Sequence, residues 1–375
     1  MIGSLLDNDF SRFLLQQVAF EKFPELEVRY RLLRRERDRT EWTPAMMAAL
    51  QEAVDQLSSL RLTVEEIAFL SRQGCFAPEF LAYLATYSAG DGTVSVKDEG
   101  GPRIEITGPL PAVALLTTPV HAICSEIASG VQSLDEARRR LDRKTAWLRR
   151  ADGIEDFRFS ELGTRRRISL AWQTELNERL RELPYYTGSG NALIASRLGT
   201  PLIGLMHHDF MQVFQVTGGA AGSERRALRS WSDTYHDRFR TALTDTLGLD
   251  SFLACFDAPL ARTWAGVRHD SGDPVALAHW IIAHYAALGL DPREKLLVFA
   301  DGLRFETAVA IYRELHGRAR LSFGIGTDLT NDGGLPPPDT AVKLISCAGR
   351  PVVKVSDDPA KNYGTTDPHE EEENR

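Results

Sequence analysis

The feature that most constrains this chain is one strand–helix–strand unit between residues 296 and 326. An apolar run at 296–300 is followed by a helical pattern near 303–316 and by a second apolar run at 321–326. Two strands that are joined by a helical crossover pair in parallel, whereas an antiparallel pair needs only a short turn. The chain is therefore predicted to contain a parallel sheet whose strands alternate with helices.

Other short apolar runs extend this pattern. Residues 201–205 and 241–245 are predicted as further strands, and repeated units between about residues 120 and 340 favour an α/β barrel. In such a barrel the chemistry lies at the carboxyl ends of the strands. The polar segments described below follow predicted strands of this kind.

The two ends of the chain have different patterns. The first 100 residues are mostly helical, and residues 104–107 alternate in the way expected of an edge strand. Residues 110–131 are the most apolar stretch, but they carry too many polar residues to span a membrane and are predicted as a strand running into a buried helix. Residues 341–345 and 351–355 are predicted as strands, and residues 363–375 as an acidic, disordered tail.

Composition excludes several classes of protein. With 43% hydrophobic and 26% charged residues, the 375-residue chain is expected to fold rather than remain disordered. Its formal charge of −8 lacks the basic footprint of a nucleic-acid-binding protein. The four cysteines form no CxxC pair, and the first residues lack the pattern of a signal peptide. We expect a cytoplasmic enzyme with no nucleic-acid or membrane partner.

The first chemical motif is the arginine run at residues 162–167, Leu-Gly-Thr-Arg-Arg-Arg. Guanidinium groups bind phosphate or carboxylate through paired hydrogen bonds, so Arg165 is a candidate anion ligand. The alternative is a solvated basic helix start.

The second motif is Gly-Leu-Met-His-His-Asp at residues 204–209. A histidine at a strand end, followed by an acid, can carry a proton or act as a nucleophile towards phosphorus, which makes His208 a candidate. The alternative is a capping or core histidine.

The third motif, Arg-His-Asp-Ser-Gly-Asp-Pro at residues 268–274, is an unusually dense polar turn. Arg268 is suited to the charge of a sugar diphosphate, and Asp270 to ribose hydroxyls or a bound magnesium ion. An ordinary helix start explains Asp273 and Pro274 but not the other two residues.

The fourth motif places glycines at a strand end, in Phe-Gly-Ile-Gly-Thr at residues 323–327. Backbone N–H groups at Gly324, Gly326 and Thr327 could cradle a phosphate. Asp301 ends the preceding strand and could contact a ribose, or it could be a helix cap.

These motifs occur in the same order in the nicotinate phosphoribosyltransferase family, which the sequence resembles from about residue 4 to 362. Gly188 and Asn191 are similar to a Gly-Thr-Ser-Asn turn of that family, and residues 244–246, Lys343 and Lys354 also fit. The resemblance implies a type II phosphoribosyltransferase with an irregular α/β barrel at 119–339. It also implies a smaller α/β domain at 1–118, completed by 340–362, and a homodimer with shared active sites.

The implied reaction joins nicotinate to phosphoribosyl pyrophosphate, giving nicotinate mononucleotide and pyrophosphate in NAD salvage. The resemblance implies that ATP is a co-substrate that phosphorylates His208 and that Mg²⁺ takes part, although it leaves the metal ligands unassigned. Arg165 and Arg268 would face the pyrophosphate or the substrate carboxylate. Asp270 would bind the ribose or magnesium.

Further roles are carried over in the same way. Asp301 would also bind the ribose or magnesium, and the turn at 324–327 would hold the 5′-phosphate. Arg29 and Arg31, two apart on an extended segment, would reach across the dimer.

The implied base pocket departs from the family. Leu162 stands where the family has an aromatic residue that stacks on the pyridine ring, and Ser11 stands where a tyrosine of the partner subunit covers the other face. His207 has no family counterpart. Two alternatives to nicotinate transfer therefore stay open: a phosphoribosyltransferase that acts on another heterocyclic base, and a degenerate, non-catalytic paralogue.

Overall fold

The computed structural model describes residues 2–35, 37–130, 133–219, 221–356 and 362, and in these residues the strands form two sheets. The strands are β1 (Glu27–Arg34), β2 (Thr93–Asp98), β3 (Pro102–Pro109), β4 (Phe159–Glu161), β5 (Tyr186–Ser189), β6 (Thr241–Leu243), β7 (Gly266–His269), β8 (Leu296–Phe299), β9 (Arg320–Ile325), β10 (Thr340–Cys347) and β11 (Arg350–Pro351). The helices are α1 (Phe10–Lys22), α2 (Pro44–Leu57), α3 (Val64–Ser71), α4 (Pro78–Thr86), α5 (Leu110–Val113), α6 (Thr117–Ser129), α7 (Leu134–Arg149), α8 (Leu170–Leu180), α9 (Ala192–Leu198), α10 (His208–Val216), α11 (Ser223–Tyr235), α12 (Leu249–Cys255), α13 (Ala258–Thr263), α14 (Pro274–Ala287), α15 (Phe305–Leu315) and α16 (Thr327–Thr330).

The first sheet is antiparallel and joins the two ends of the chain. Its strand order is β11-β10-β1-β3-β2. Exposed and buried side chains alternate along β1, so Val28, Tyr30 and Leu32 face the core. β10 pairs with β1 and thereby brings residues 340–347 to the N-terminal segment. The domain boundaries at residues 118, 339 and 362 stay predictions, and the acidic tail at 363–375 lies outside the described residues.

Two strand predictions in this sheet are wrong in detail. Residues 104–107 lie inside the sheet, in β3 between β1 and β2, rather than at its edge. Polar and apolar residues alternate along an antiparallel strand with one solvated face whether the strand lies at the edge or in the interior of the sheet. The strand predicted at 351–355 is confined to β11, because Lys354 turns away to pair with Asp245 and the Val355 N–H donates to the Thr246 carbonyl oxygen.

The apolar stretch 110–131 was predicted to begin as a strand, which is wrong: it forms α5 and α6. Pro111 lies in the first turn of α5, where its missing N–H costs no hydrogen bond, whereas it would break a strand ladder. By length and composition Leu110–Ser129 could cross a membrane, but 89% of its apolar window is buried inside the fold. The stretch is therefore a core helix pair.

The second sheet is parallel, with the order β5-β4-β9-β8-β7-β6. The predicted strand–helix–strand unit is confirmed as β8, α15 and β9, and the two strands pair in parallel. The segment predicted at 241–245 gives β6, but residues 201–205 contribute only one bridge, between Leu202 and Ser189. In the described residues the two outer edges of this sheet are not joined by strand pairing, so the barrel is irregular and incomplete in its hydrogen bonds. The mixed α/β prediction is confirmed.

The carboxyl ends of the parallel strands meet at one edge of the sheet. Glu161 ends β4, Asp245 follows β6 by two residues, and Asp270 directly follows β7. Asp301 follows β8 by two residues, and Gly326 directly follows β9. The polar segments of the sequence are therefore brought together, as the barrel argument predicts.

Candidate active site

A cavity of about 470 Å³ opens at this edge, between the parallel strand ends and β10 of the other sheet. Nine of the residues that were predicted to contact substrate line it. They are Ser11, Leu162, Arg165, Arg268, Asp270, Asp301, Gly324, Gly326 and Thr327. The cavity also contains several residues to which the sequence assigned no role. They include Asp9, Arg35, His121, His207, Lys343 and Lys354.

His208 lies behind the cavity wall, beside Asp270, rather than on its lining surface. Its Nε2 is 2.7 Å from Asp245 Oδ1 and 3.7 Å from Asp270 Oδ2. Asp245 is fully buried, and its other oxygen accepts from Ser271 Oγ at 2.7 Å and pairs with Lys354 Nζ at 2.9 Å. The side chain of His208 is thus fixed by a carboxylate that is itself fixed on its far side.

The charges of this cluster determine the tautomer of His208. Burial alone would raise the pKa of Asp245, but His208 and Lys354 hold it far below its usual range. An ionised carboxylate only accepts hydrogen bonds, so His208 Nε2 carries the proton. Burial lowers the pKa of His208, and a neutral ring that is protonated on Nε2 has its lone pair on Nδ1. The tautomer of His208 therefore leaves the lone pair of the ring on Nδ1.

Arg268 and Asp270 form the next part of the wall. Arg268 Nη2 is 3.5 Å from Asp270 Oδ1, and the Arg268 Nε has no hydrogen-bond partner in the described part of the chain. Burial opposes ionisation of Asp270, but Arg268 and His208 outweigh it and lower the pKa of this carboxyl. A buried guanidinium with an unpaired N–H, next to an ionised carboxylate, is suited to an anionic ligand.

The three consecutive arginines have three different roles. Arg165 faces the cavity, with its side chain 45% exposed and its Nε 3.2 Å from Asp9 Oδ2. Arg166 donates to the Thr340 carbonyl oxygen and so ties the turn to β10. Arg167 is fully buried and donates to both oxygens of Asp7, at 2.6 and 2.7 Å. The place of Arg165 on the cavity wall is consistent with the anion-binding prediction, whereas the solvated-helix alternative does not describe Arg167, which is buried.

The glycines of the fourth motif lie close to Leu162. A Cβ on Gly324 would lie 2.4 Å from the Leu162 Cδ1, and one on Gly326 would lie 3.1 Å from the Leu162 carbonyl oxygen. β9 therefore approaches the loop after β4 closely, and Leu162 fills the space between them. Thr327 begins α16 at the cavity wall.

Two predicted ligands, Gly188 and Asn191, lie behind the cavity lining and contact the scaffold. Asn191 caps α9 through Ile194 N–H and donates to Asp7 Oδ1 at 2.8 Å, while its neighbour Gly190 lines the cavity. Gly188 has a φ of +141°, and a Cβ there would lie 2.2 Å from the Pro201 carbonyl oxygen. Neither residue is on the cavity surface. These two positions hold the loop that does line it.

Arg29 and Arg31 are not among the residues that line the cavity, although Arg31 pairs across the sheet with Lys343 of β10, which does line it. Arg31 Nη2 donates to Glu105 Oε1 at 2.8 Å on the neighbouring strand β3. The two arginines share one face, as an extended segment requires.

Glu161 is a positioning residue of the site that the sequence analysis missed. It is fully buried at the end of β4 and accepts hydrogen bonds from Asn177 Nδ2 and Ser189 Oγ and from the Gly163 N–H. One carboxylate therefore fixes both the arginine turn and the end of β5. Its position directly before the Leu-Gly-Thr-Arg motif was the available signal.

The cluster of His208, Asp245 and Asp270 has three potential metal ligands within 4.8 Å of one another. The Asp245 oxygens, however, are already used by His208, Ser271 and Lys354, and the Lys354 ammonium supplies the compensating charge. Asp270 and Asp301 face the open cavity instead, and carboxylate oxygens are the ligands that Mg²⁺ prefers. The residues present fit a magnesium ion at the cavity carboxylates better than at the histidine.

Comparison with known proteins agrees with this geometry. The family model described as the nicotinate phosphoribosyltransferase family matches residues 157–374, and its N-terminal domain matches residues 6–125. This chain belongs to the nicotinate phosphoribosyltransferase family. The family prediction is confirmed, and with it the prediction of an enzyme.

Relatives and solved structures of the family match nearly the whole chain. A nicotinate phosphoribosyltransferase of Cupriavidus necator is 37% identical over 372 residues, covering 96% of this chain and 94% of its own length. One from Chromobacterium violaceum is 36% identical over 375 residues, with 96% and 93% coverage. The crystal structure of the Vibrio cholerae nicotinate phosphoribosyltransferase superposes with a TM-score of 0.90 at 32% identity, covering 96% of this chain and 90% of that one.

Proposed function

We propose that this protein transfers the phosphoribosyl group of phosphoribosyl pyrophosphate to nicotinate. The pyridine nitrogen forms a bond to C1 of the ribose, the bond from C1 to the pyrophosphate oxygen breaks, and pyrophosphate leaves with the electron pair. The observation that carries this proposal is the charge pattern of the cavity. Five carboxylates, Asp270 and Asp301 among them, share it with seven cations, which include Arg165, Arg268, Lys343 and Lys354.

This pattern matches the charges of the reaction. The cations attract a substrate that carries a phosphate and a diphosphate, and they stabilise the departing pyrophosphate. The carboxylates suit the positive charge that develops at C1 and the hydroxyls of the ribose. A magnesium ion at Asp270 and Asp301 would neutralise the diphosphate oxygens when it binds. The cations and the proposed magnesium ion are thus complementary to the phosphate groups of the substrate, and the carboxylates are complementary to its ribose.

We further propose that ATP phosphorylates His208. Its Nδ1 would form the bond to the γ-phosphorus, the bond to the bridging oxygen would break, and ADP would leave. Asp245 would hold the Nε2 proton and stabilise the positive ring during the transfer. A phosphoryl group at His208 would later pass to water, which couples ATP hydrolysis to the glycosyl transfer next to it.

The base pocket supports a second candidate, a different heterocyclic base. Leu162 and Ser11 both line the cavity, and neither offers the aromatic face that the family resemblance implies for a pyridine ring. Ser11 Oγ accepts from the Leu205 N–H at 2.8 Å, which fixes its hydroxyl at the wall. The pocket is therefore aliphatic and polar where stacking is expected.

The homodimer also stays a proposal. Arg29 is on the exposed face of β1, where a second copy of the chain could receive it. Sedimentation of the purified protein, alone and with phosphoribosyl pyrophosphate, tests the dimer.

The test of the function is pyrophosphate release from phosphoribosyl pyrophosphate with Mg²⁺ and nicotinate, with and without ATP, and identification of the mononucleotide by mass. We expect a product whose yield rises with ATP, and no ATP effect in His208→Ala. Substituting Leu162→Phe distinguishes the bases, because a large gain with nicotinate would show that the natural pocket favours another base. No product with any heterocyclic acid or amide, together with no binding of phosphoribosyl pyrophosphate, would refute the enzyme and favour the degenerate paralogue.

A further inference from the structure

Arg304 lines the cavity at a position that its own helix does not explain. It is the N-cap residue of α15, and its side chain makes no capping hydrogen bond. A guanidinium group cannot cap a helix start, because the cap must accept hydrogen bonds and this group only donates them. As a cation, it also lies at the positive end of the helix dipole. Arg304 therefore lowers the stability of α15, and its use must lie outside the helix.

The guanidinium of Arg304 is loosely held. Its side chain is 73% exposed, and its Nε is 3.6 Å from Asp328 Oδ1, which is farther than a hydrogen bond allows. That carboxylate has a closer cation, because Lys144 Nζ is 2.9 Å from Asp328 Oδ2. Lys144 also pairs with Asp332 at 2.8 Å. An anionic ligand can therefore draw Arg304 away from Asp328 without breaking a hydrogen bond between them and without leaving that carboxylate unpaired.

The neighbour of Arg304 in the cavity is the glycine turn at 324–327. Asp328, which Arg304 approaches, directly follows this turn, and the strands that lead to the two segments, β8 and β9, are paired. Backbone N–H groups can cradle a phosphate, but they bring no full positive charge. A phosphate monoester carries a charge of about −1.5 to −2 at pH 7. Beside Asp328, such a ligand needs a cation to offset like-charge repulsion, and Arg304 is placed to supply it.

Other cations of the cavity lie elsewhere along the sheet. Arg268 belongs to β7, and Lys354 pairs with the carboxylate that follows β6. Both strands are on the far side of β8 from the glycine turn. Arg165, which follows β4 on the other flank of β9, is paired with Asp9 at 3.2 Å. A substrate with a phosphate at one end and a diphosphate at the other would therefore meet separate cations at its two ends.

We infer that Arg304 binds the 5′-phosphate of phosphoribosyl pyrophosphate, as a side-chain ligand added to the backbone N–H groups of the glycine turn. The inference rests on the proposed function and concerns the phosphate end of its substrate. The guanidinium donates paired hydrogen bonds to the phosphate oxygens, and Lys144 keeps Asp328 neutralised. Arg304 is thus a specificity-determining residue, since it favours sugars that carry a phosphate at this end.

Three variants separate ligand binding from helix stability. Arg304→Gln removes the charge at similar length, Arg304→Lys keeps a charge without the paired donors, and Arg304→Asn supplies a side chain that can cap α15. Arg293→Gln is the matched control, because Arg293 is also 73% exposed but precedes β8, at the opposite end of that strand from the cavity. Each protein is titrated by calorimetry, in the presence of Mg²⁺, with phosphoribosyl pyrophosphate, ribose 5-phosphate and inorganic pyrophosphate.

We expect the Kd for ribose 5-phosphate and for phosphoribosyl pyrophosphate to rise at least about tenfold in Arg304→Gln and Arg304→Asn, and less in Arg304→Lys. The Kd for pyrophosphate, and every Kd of the control, should stay within about threefold of the parent. The melting temperature of Arg304→Asn should not fall, because asparagine is a favoured N-cap residue, so its lost affinity reports the missing guanidinium.

Two results would overturn the inference. One is an unchanged Kd for ribose 5-phosphate in Arg304→Gln. The other is an equal loss of affinity for ribose 5-phosphate and for pyrophosphate, because Arg304 would then act through the general positive field of the cavity and not at the 5′-phosphate.

The same titrations distinguish this inference from the proposed function. If the parent forms no mononucleotide but binds ribose 5-phosphate at least about tenfold more tightly than Arg304→Gln does, the inference holds and the function fails. If the mononucleotide forms with the same KM for phosphoribosyl pyrophosphate in both proteins, the function holds and the inference is wrong. If ribose 5-phosphate binds to neither protein, the inference is wrong whatever the turnover.

Discussion

Exchanging Asp245 for asparagine tests how the fold prepares His208. The amide is nearly the same size as the carboxylate, but its NH₂ group can donate to the His208 Nε2, 2.7 Å away in the native contact. The ring would then carry its proton on Nδ1 and lose the lone pair that attacks ATP. A corresponding exchange in a serine-protease triad lowers turnover about 10⁴-fold through the same tautomer reversal. We expect phosphoenzyme formation to fall by about 10³-fold or more.

The same exchange has a cost in stability that must be measured separately. Lys354 Nζ, on a side chain that is 1% exposed, loses the charge of its partner 2.9 Å away. Breaking a buried ion pair from one side costs about 3–5 kcal/mol in free energy of unfolding. The double variant Asp245→Asn with Lys354→Met removes the unpaired ammonium and should recover much of this loss. It should not recover the phosphoenzyme.

The assay is the rate of acid-labile phosphate incorporation from γ-labelled ATP, with the melting temperature measured on the same samples. Asp301→Asn is the matched control, since this cavity carboxylate lies beyond the histidine cluster and should slow the glycosyl transfer while leaving the phosphoenzyme intact. The reasoning is refuted if folded Asp245→Asn protein is phosphorylated within about tenfold of the parent rate.

Three further predictions follow from single contacts. Burial and neighbouring cations lower the pKa of Lys343 to about 7, so this lysine loses its proton as the pH rises above 7 and the affinity for phosphoribosyl pyrophosphate should fall. Calorimetry should show proton uptake on binding, and Lys343→Met should abolish both effects. Gly266→Ala should lower the free energy of unfolding in urea by about 3 kcal/mol, because its Cβ would lie 1.8 Å from the Leu296 carbonyl oxygen; an unchanged midpoint would contradict the strand pairing. Arg167→Met should cost about 3–5 kcal/mol in the same titration by leaving Asp7 buried without its partner, whereas Arg165→Met should leave the midpoint nearly unchanged.

Local patterns account for what the sequence predicts well. The strand–helix–strand unit is confirmed because a helical crossover and its two strands are specified within about 30 consecutive residues. Most candidate ligands reach one cavity because, apart from Ser11, they lie near the carboxyl ends of strands, and parallel strands end at the same edge. The family resemblance was specific because motifs spaced over the whole chain agreed in order.

Other features depend on contacts that no local pattern contains. The run at 165–167 contains three identical side chains, yet Arg167 is buried against Asp7 and only Arg165 is a substrate candidate. The direction in which each side chain points depends on partners that are distant in the sequence. Asn191 resembles a family ligand in sequence but serves as a helix cap and a link to Asp7. The role of Asp245 depends on Lys354, which lies 109 positions later in the sequence. Only the folded chain, in which the segment after β10 returns to the cavity, brings the two residues into contact.

The two adjacent histidines lie in different surroundings. His208 is the first residue of α10 and contacts Asp245 after β6, whereas His207 precedes the helix with an extended backbone and lines the cavity wall. The first has its tautomer fixed by a buried carboxylate, and the second has no protein partner in the described structure. Changes at Asp245 should therefore alter phosphorylation without altering the affinity for the base. An Asp245 variant that altered both would mean that the histidine cluster also shapes the base site.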